Sequence, residues 1–353
     1  MTSINALKLD RDRGLMVCDE ARYWNPEWMI YYTPEKIRAV AVPPVTGELD
    51  LILFMGQTGT SSVGDEFIDR TERMVTNWFQ EETDRLNHTP RKSPPLAEWA
   101  RRTFDVVTDI KRQHVDDLLT GRYGFTTRDI VRGAMQVKGG EVPLEDKDLI
   151  AEALKLVTFE GGHDDVKGIF GNSQILMGHT PQDGFRIFYM TERTPVCEEV
   201  DEIFNAQGSG RDTCDLAFCR FANSLSIEER RGSIDPAVGL VALLRGLNDA
   251  FRLTMGVAGY PKIIYVDGAA PRREDRVKTV FDMRSKLASE IVMAGHDALI
   301  PESAMYDLVN ELIFKDLTFA EVNRRFVSAA SDPIRLQHYL RGYHVKPGAR
   351  AIP

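Results

Sequence analysis

The chain is poor in cysteine, has no excess of basic charge and carries no long apolar run, and each shortage closes off a class of function. Cys18, Cys197, Cys214 and Cys219 are its only cysteines in 353 residues. Scattered as they are, they make no disulfide framework, and a reduced, cytoplasmic setting is expected. Lys and Arg number 44 against 53 Asp and Glu, for a formal net charge of -9. A general nucleic-acid or anionic-membrane binder would instead carry a basic footprint. No stretch approaches the ~20 apolar residues of a membrane span. The opening MTSINALKLDRDR lacks the apolar run behind a basic start that marks a secretory signal. The conventional catalytic signatures are missing too, with no CxxC, HExxH, P-loop or nucleophile elbow. His163-Asp164-Asp165 and His296-Asp297 have no matching ligands nearby and read as solvated loops. Cys214 and Cys219, five apart without a second ligand pair, read as helix packing. No metal or organic cofactor is expected.

What remains is ordinary globular composition, 43% hydrophobic and 27% charged, in a chain long enough for roughly two domains of about 150 residues. The first sixty residues read as strands. Ser3 to Leu9 and Leu15 to Cys18 flank DRDRG, a hairpin signal. Trp28 to Tyr32, Lys36 to Val42 and Asp50 to Met55 follow. After GQTGTSS the period changes from two to nearly four, with Val63, Phe67, Met74, Val75, Trp78 and Phe79 on one helical face. A second helix spans about Leu96 to Leu119. Glu145 to Val157 reads as helical within a glycine-broken region of about 120–170. SQILMGH (173–179) and FRIFYMTE (185–192) form another hairpin. NAQGSG (205–210) precedes a helical patch, Asp235 to Leu253 is a helix with Pro236 in its first turn, and KIIYVDG (262–268) is a buried-type strand. From about 270 the pattern is helical to the end. Strands grouped around paired helices, without βαβ alternation, give an α+β class.

One constellation of chemical interest begins at Thr2. Aminopeptidases that trim the initiator methionine act when the next residue is small, and threonine qualifies. Trimming would leave Thr2 with a free α-amine beside its own hydroxyl. With a reference pKa of about 7.7–8.0, such an amine is partly neutral near pH 7. It can accept the hydroxyl proton, usually through one water, and turn the oxygen into a nucleophile. A threonine at position two is commonplace, so the weight falls on its surroundings.

TSINALKLDRDRGLMVCDEAR followed by PEKIRAV resembles the N-terminal nucleophile (Ntn) hydrolases of the proteasome β-subunit type, specifically the bacterial proteasome-related kind. In that family a mature N-terminal Thr opens the first strand, an Asp closes the second, and a Lys begins a later one. Those positions match Thr2, Asp19 and Lys36. TGTSSVGDEF resembles the family's turn into its first helix, with Gly59 at the residue whose N–H faces the oxyanion. NAQGSG carries the Gly-Ser-Gly turn, with Ser209 at the serine near the terminal amine. The resemblance covers roughly residues 2–120 and 170–268. It departs where the family has a further Asp and Ser before its last matching strand. Thr254 and Val257 stand there instead, unless Asp249 or Asp212 substitutes.

The resemblance implies a four-layer αββα Ntn-hydrolase sandwich over residues 2–268, with an inserted helical segment at about 120–170 and a helical C-terminal extension over 269–353. It implies a threonine-type peptidase in which Thr2 attacks, Lys36 lowers the pKa of the amine by like-charge repulsion, Asp19 balances Lys36, and Gly59 donates to the oxyanion, commonly worth ~3 kcal/mol. Ser209 completes the set. Peptides or unfolded proteins would be the substrate, in a homo-oligomeric ring fed by an unfoldase or adaptor, with no nucleic-acid or membrane partner. Two alternatives stay open, a catalytically inactive proteasome-like assembly or interaction protein and an Ntn amidase or transpeptidase.

Overall fold

Among the described residues, ten of fourteen strands form two antiparallel five-stranded sheets, and the turns between them explain their pairing. The computed structural model describes residues 2–24, 29–32, 36–42, 49–88, 90, 92–157, 171–191, 197–231, 233–254, 257–281 and 283–341. In chain order the strands are Ser3–Lys8 (β1), Arg13–Cys18 (β2), Ala21–Trp24 (β3), Met29–Tyr32 (β4), Ile37–Ala41 (β5), Ile52–Gln57 (β6), Ala134–Val137 (β7), Gly140–Pro143 (β8), Gln174–Thr180 (β9), Gly184–Met190 (β10), Glu198–Glu199 (β11), Phe204–Gly208 (β12), Lys262–Asp267 (β13) and Val277–Val280 (β14). The first sheet runs β12-β1-β2-β13-β14 and the second β11-β10-β9-β6-β5, while β3-β4 and β7-β8 are separate ribbons. Every pairing is antiparallel. The first hairpin closes because Asp10 Oδ1 accepts from the backbone N–H groups of Asp12 and Arg13 at 2.9 and 2.8 Å, an aspartate-stabilised turn. Gly14 then leaves room for a ring from the other sheet, since a Cβ there would fall 2.0 Å from Phe185 Cζ.

Alternation along the strands sends each side chain to one of two faces. Ile4, Ala6, Met16, Cys18 and Ile264 of the first sheet meet Ile37, Ile52, Phe54, Ile175, Met177 and Ile187 of the second in one apolar cluster. The next residues along point the other way. Leu53, Met55, Leu176 and Phe188 pack on helices Ser61–Leu86 (α1) and Leu96–Tyr123 (α2) through Phe67, Ile68, Trp99, Val107 and Ile110. Trp78 and Trp99 meet edge to face at 5.1 Å between those helices. Thr127–Arg132 (α3) and Lys147–Val157 (α4) follow in the chain. With Met135 of β7 they pack around a small satellite cluster of Val115, Leu119, Phe125 and Ala153, while β8 stays exposed.

On the far face of the first sheet, Leu7, Leu15, Val17 and Ile263 pack on Arg211–Ser224 (α5), Ile227–Arg231 (α6) being its exposed successor, and on Pro236–Leu253 (α7). Asp235 caps α7 by accepting from the N–H groups of Ala237 and Val238, a strong start signal with Pro236 at the first position. Met283–His296 (α8), Glu302–Val309 (α9), Phe319–Ala329 (α10) and Pro333–Arg341 (α11) follow among the described residues. Leu287, Ile291, Met305, Leu308, Val322 and Phe326 share one apolar cluster with Leu15 and Leu243. The helices beyond residue 269 therefore contribute to the largest core.

Several sequence expectations need correcting. The region after 270 is not helical throughout, because β14 pairs with β13 from Ile263↔Val280 to Val266↔Val277. With only four residues, VKTV presents too little alternation to register as a strand. β3 and β12 were likewise not expected. Cys214 is buried as read, but Cys219 is exposed and does not pack. The Gly161-Gly162 pair, His163 with its aspartates, and Trp28 lie outside the described residues. No helix among the described residues is long and apolar enough to cross a membrane.

Candidate active site

The residues picked out by sequence come together because each stands one or two steps beyond a strand end, and all those ends lie on the same side of the two sheets. The β1–β2 register pairs Ile4 with Cys18, so one step further Ser3 faces Asp19. The β1–β12 register pairs Ser3 with Gly208, so Thr2 faces Ser209. In the second sheet Ile37 pairs with Gly56 and Gln57 with Gln174, which sets Lys36 opposite Gln57 and Thr58 opposite Ser173. Pleat alternation gives Thr2 the same face as Ile4 and Ala6, toward the second sheet.

The hydrogen bonds follow that register. Thr2 N donates to Ser209 Oγ at 3.0 Å, and the Ser209 hydroxyl donates to Thr2 O at 3.2 Å. The N–H of Gly210 also reaches Thr2 O, at 3.3 Å. Gly208 turns at φ +94°, and a Cβ on it would strike Thr2 O at 2.2 Å, so a glycine is required for the close approach. Asp19 Oδ1 accepts from Ser3 N at 2.8 Å, and its Oδ2 accepts from Lys36 Nζ at 2.9 Å. The N–H of Ala258 approaches the same oxygen at 3.4 Å. This ion pair is 2% and 0% exposed. Burial pushes the Asp19 carboxyl above its usual range, while the Lys36 ammonium, the Ser3 N–H and the Ala258 N–H pull it back.

A cleft of about 430 Å³ opens onto Thr2, Thr58, Gly59, Ser173, Ser209 and Arg211 among others. Gly59 turns at φ +96°, with Asn172 Oδ1 and Gly171 O each 2.5 Å from where a Cβ would stand, so its backbone faces the cleft with no side chain in the way. Thr2, Gly59 and Ser209 thus line one cavity, and Asp19 with Lys36 lies buried beside it, bonded to the residue after Thr2. Asp249 lines a different cavity with Arg245 and His296, and Asp212 sits in the first turn of α5. Neither lines the Thr2 cleft. Thr254 caps the end of α7 and Val257 is buried.

The nearby thiols offer no competing nucleophile. Burial pushes Cys18 up to about 12 and Cys214 up to about 11, so both stay protonated and unreactive near neutral pH. Seven of the ten described lining residues escaped the sequence reading, Thr58, Ser173 and Arg211 among them. Thr58 and Ser173 share a 2.8 Å hydroxyl–hydroxyl bond, and their only sequence signals were the adjacency of Thr58 to Gly59 and the place of Ser173 at the head of SQILMGH. Arg211 gave none beyond following the NAQGSG turn. Among the described residues no group of three or more His, Cys, Asp or Glu is arranged to hold a metal.

No protein-family model matches the chain, and no curated protein matches it. Solved structures do. A mutant Anbu from Hyphomicrobium sp. strain MC1 aligns at 13% identity and TM-score 0.50, covering 85% of this chain and 96% of that one. Anbu from Yersinia bercovieri, described as an ancestral beta-subunit, aligns at 10% identity and TM-score 0.51, over 84% and 93%. Anbu from Hyphomicrobium sp. strain MC1 aligns at 13% identity and TM-score 0.51, over 84% and 94%. Likeness at these identities extends to the fold, a distant proteasome-like one, and no further.

Proposed function

We propose that this chain is a proteasome-like threonine-type peptidase whose nucleophile, Thr2, is exposed by removal of Met1. The observation that carries the reading is the meeting of Thr2, Gly59 and Ser209 on one cleft, next to a buried Lys36–Asp19 pair tied to Ser3. A buried ion pair is weak evidence of stabilisation, since desolvation offsets the attraction. Its position beside a chain end that can become an amine suits a catalytic role better. The helix, sheet, sheet, helix order of the packed faces supports a four-layer αββα Ntn sandwich, and the likeness to Anbu agrees with it at the level of fold.

In the proposed reaction the Thr2 amine, once free, takes the hydroxyl proton through a water while Oγ attacks the amide carbonyl. The tetrahedral oxyanion collects beside the Gly59 N–H. The C–N bond breaks, the departing amine leaves with the proton, and the acyl group stays on Thr2 until water releases it. An amine in place of water would give transpeptidation. Lys36, held by Asp19, disfavours a second positive charge on the amine. A homo-oligomeric ring, an unfoldase or adaptor and a cytoplasmic setting belong to the same proposal. A silent assembly protein on the same fold is the second reading, favoured by Thr254 and Val257 standing where the resembling family has Asp and Ser. Intact mass measurement with an electrophilic, threonine-reactive inhibitor separates the two. The peptidase reading expects loss of Met1, one adduct on Thr2, and a fall in peptide turnover of at least about a thousandfold in Thr2→Ala. A retained Met1 with no adduct supports the silent protein.

A further inference from the structure

The chemistry of the cleft wall narrows what it can hold. Of the ten described residues lining it, five carry hydroxyls, three are glycines, one is Gln207, and Arg211 alone is charged. None of these described residues is large and apolar, so none of them rewards burial of an apolar substrate group. Arg211 is the first residue of the fourteen-residue helix α5, directly after Gly210, whose N–H holds Thr2 O. The guanidinium is therefore tethered one residue from the group that fixes Thr2. Its Nε donates to Asp215 Oδ2 at 3.2 Å, with side-chain exposures of 50% and 34%. Water screens such a pair, so it is held weakly. The two terminal nitrogens have no acceptor among the described residues, which leaves the forked face that binds a carboxylate in two parallel bonds. The helix start adds partial positive charge on the same side.

We infer that the cleft selects peptide segments carrying a carboxylate side chain close to the bond held at Thr2, and that Arg211 is the residue that reads the charge. The inference rests on the peptidase reading for its placement of the substrate, yet binding tests it without turnover. Capped fluorescent peptides that differ only in Glu against Gln are titrated, by anisotropy, into the full chain carrying Thr2→Ala. The Glu peptide should bind about tenfold tighter, the scale of one charge-assisted bond. The advantage should fade with added salt, vanish in Arg211→Gln, and pass to a Lys peptide in Arg211→Glu. Equal affinities for Glu and Gln, a Glu preference that survives Arg211→Gln, or no binding of either peptide would overturn it. Failure of the peptidase reading looks different, as a wild-type chain that neither cleaves the Glu peptide nor takes an adduct on Thr2, whatever the anisotropy gives.

Discussion

The β1–β2 hairpin carries an ion pair at each end, and the two ends differ in nearly every physical respect. At the closed end Arg13 meets Asp10 at 2.7 Å with side-chain exposures of 26% and 18%. Asp10 also accepts from two backbone N–H groups and from Ser233. Burial raises its carboxyl pKa, but the Arg13 bond and the Asp12 and Arg13 N–H groups outweigh that and hold it below the usual range. Those bonds close a turn. At the open end Lys36 and Asp19 are almost wholly buried, and Asp19 remains pushed upward by that burial. Two charges taken out of water stabilise a fold poorly, whereas a partly solvated turn aspartate does so at little cost. The closed end thus has the chemistry of structure, and the open end a buried charge pair that suits the proposed site.

Breaking the open end should have the largest effect. Lys36→Ala leaves Asp19 buried without its cation and is expected to destabilise the chain by about 3–5 kcal/mol in denaturant titration. Asp19→Asn with Lys36→Met, which keeps an acceptor for the Ser3 N–H, should recover most of that stability while peptide turnover stays lost. Recovery of both would mean the pair is only structural. Next comes the rim of the same end. Gly59→Ala combines a positive φ with two 2.5 Å clashes and should cost about 1–3 kcal/mol, with a larger fractional loss of turnover than of stability. At the closed end, Asp10→Ala should lower stability by only about 1 kcal/mol and leave the Thr2 adduct rate unchanged.

The smallest effect concerns pH. His179, 3% exposed, bonds Asp12 at 3.2 Å in the turn at the closed end. Burial lowers its pKa below the usual 6.5, against the opposing pull of Asp12. The folded chain therefore binds a proton less readily than the unfolded one. Stability from this residue is complete above the unfolded value and declines as pH falls through the window below 6.5. Thermal midpoints measured between about pH 8 and about pH 5 should fall less steeply in His179→Gln than in the parent chain. Identical slopes would count against it.

How much of this was legible beforehand varied with element length. The periods of α1 and α2, the Asp235-Pro236 start of α7, and the alternation in β9, β10 and β13 lie within one segment each, so local chemistry reveals them. β12 and β14 are short and hold residues such as Asn205, Gly208 and Lys278, which have no strong strand preference. They become strands because β1 and β13 offer open edges to pair with. Arg211 was invisible for a related reason, since nothing local distinguishes an arginine at a helix start facing a cleft from one facing solvent.

The amino-acid order by itself set the α+β class, the hairpin, most helix limits and the shortlist Thr2, Asp19, Lys36, Gly59 and Ser209, because periodicity, turn chemistry and residue spacing are properties of neighbours. Only the folded chain decided that these five meet on one side of two sheets, that the last helices join the main core, and that Arg211 lines the cleft. Those outcomes depend on strand register and on faces packed across long sequence distances, and such contacts leave no mark on the residues next to them.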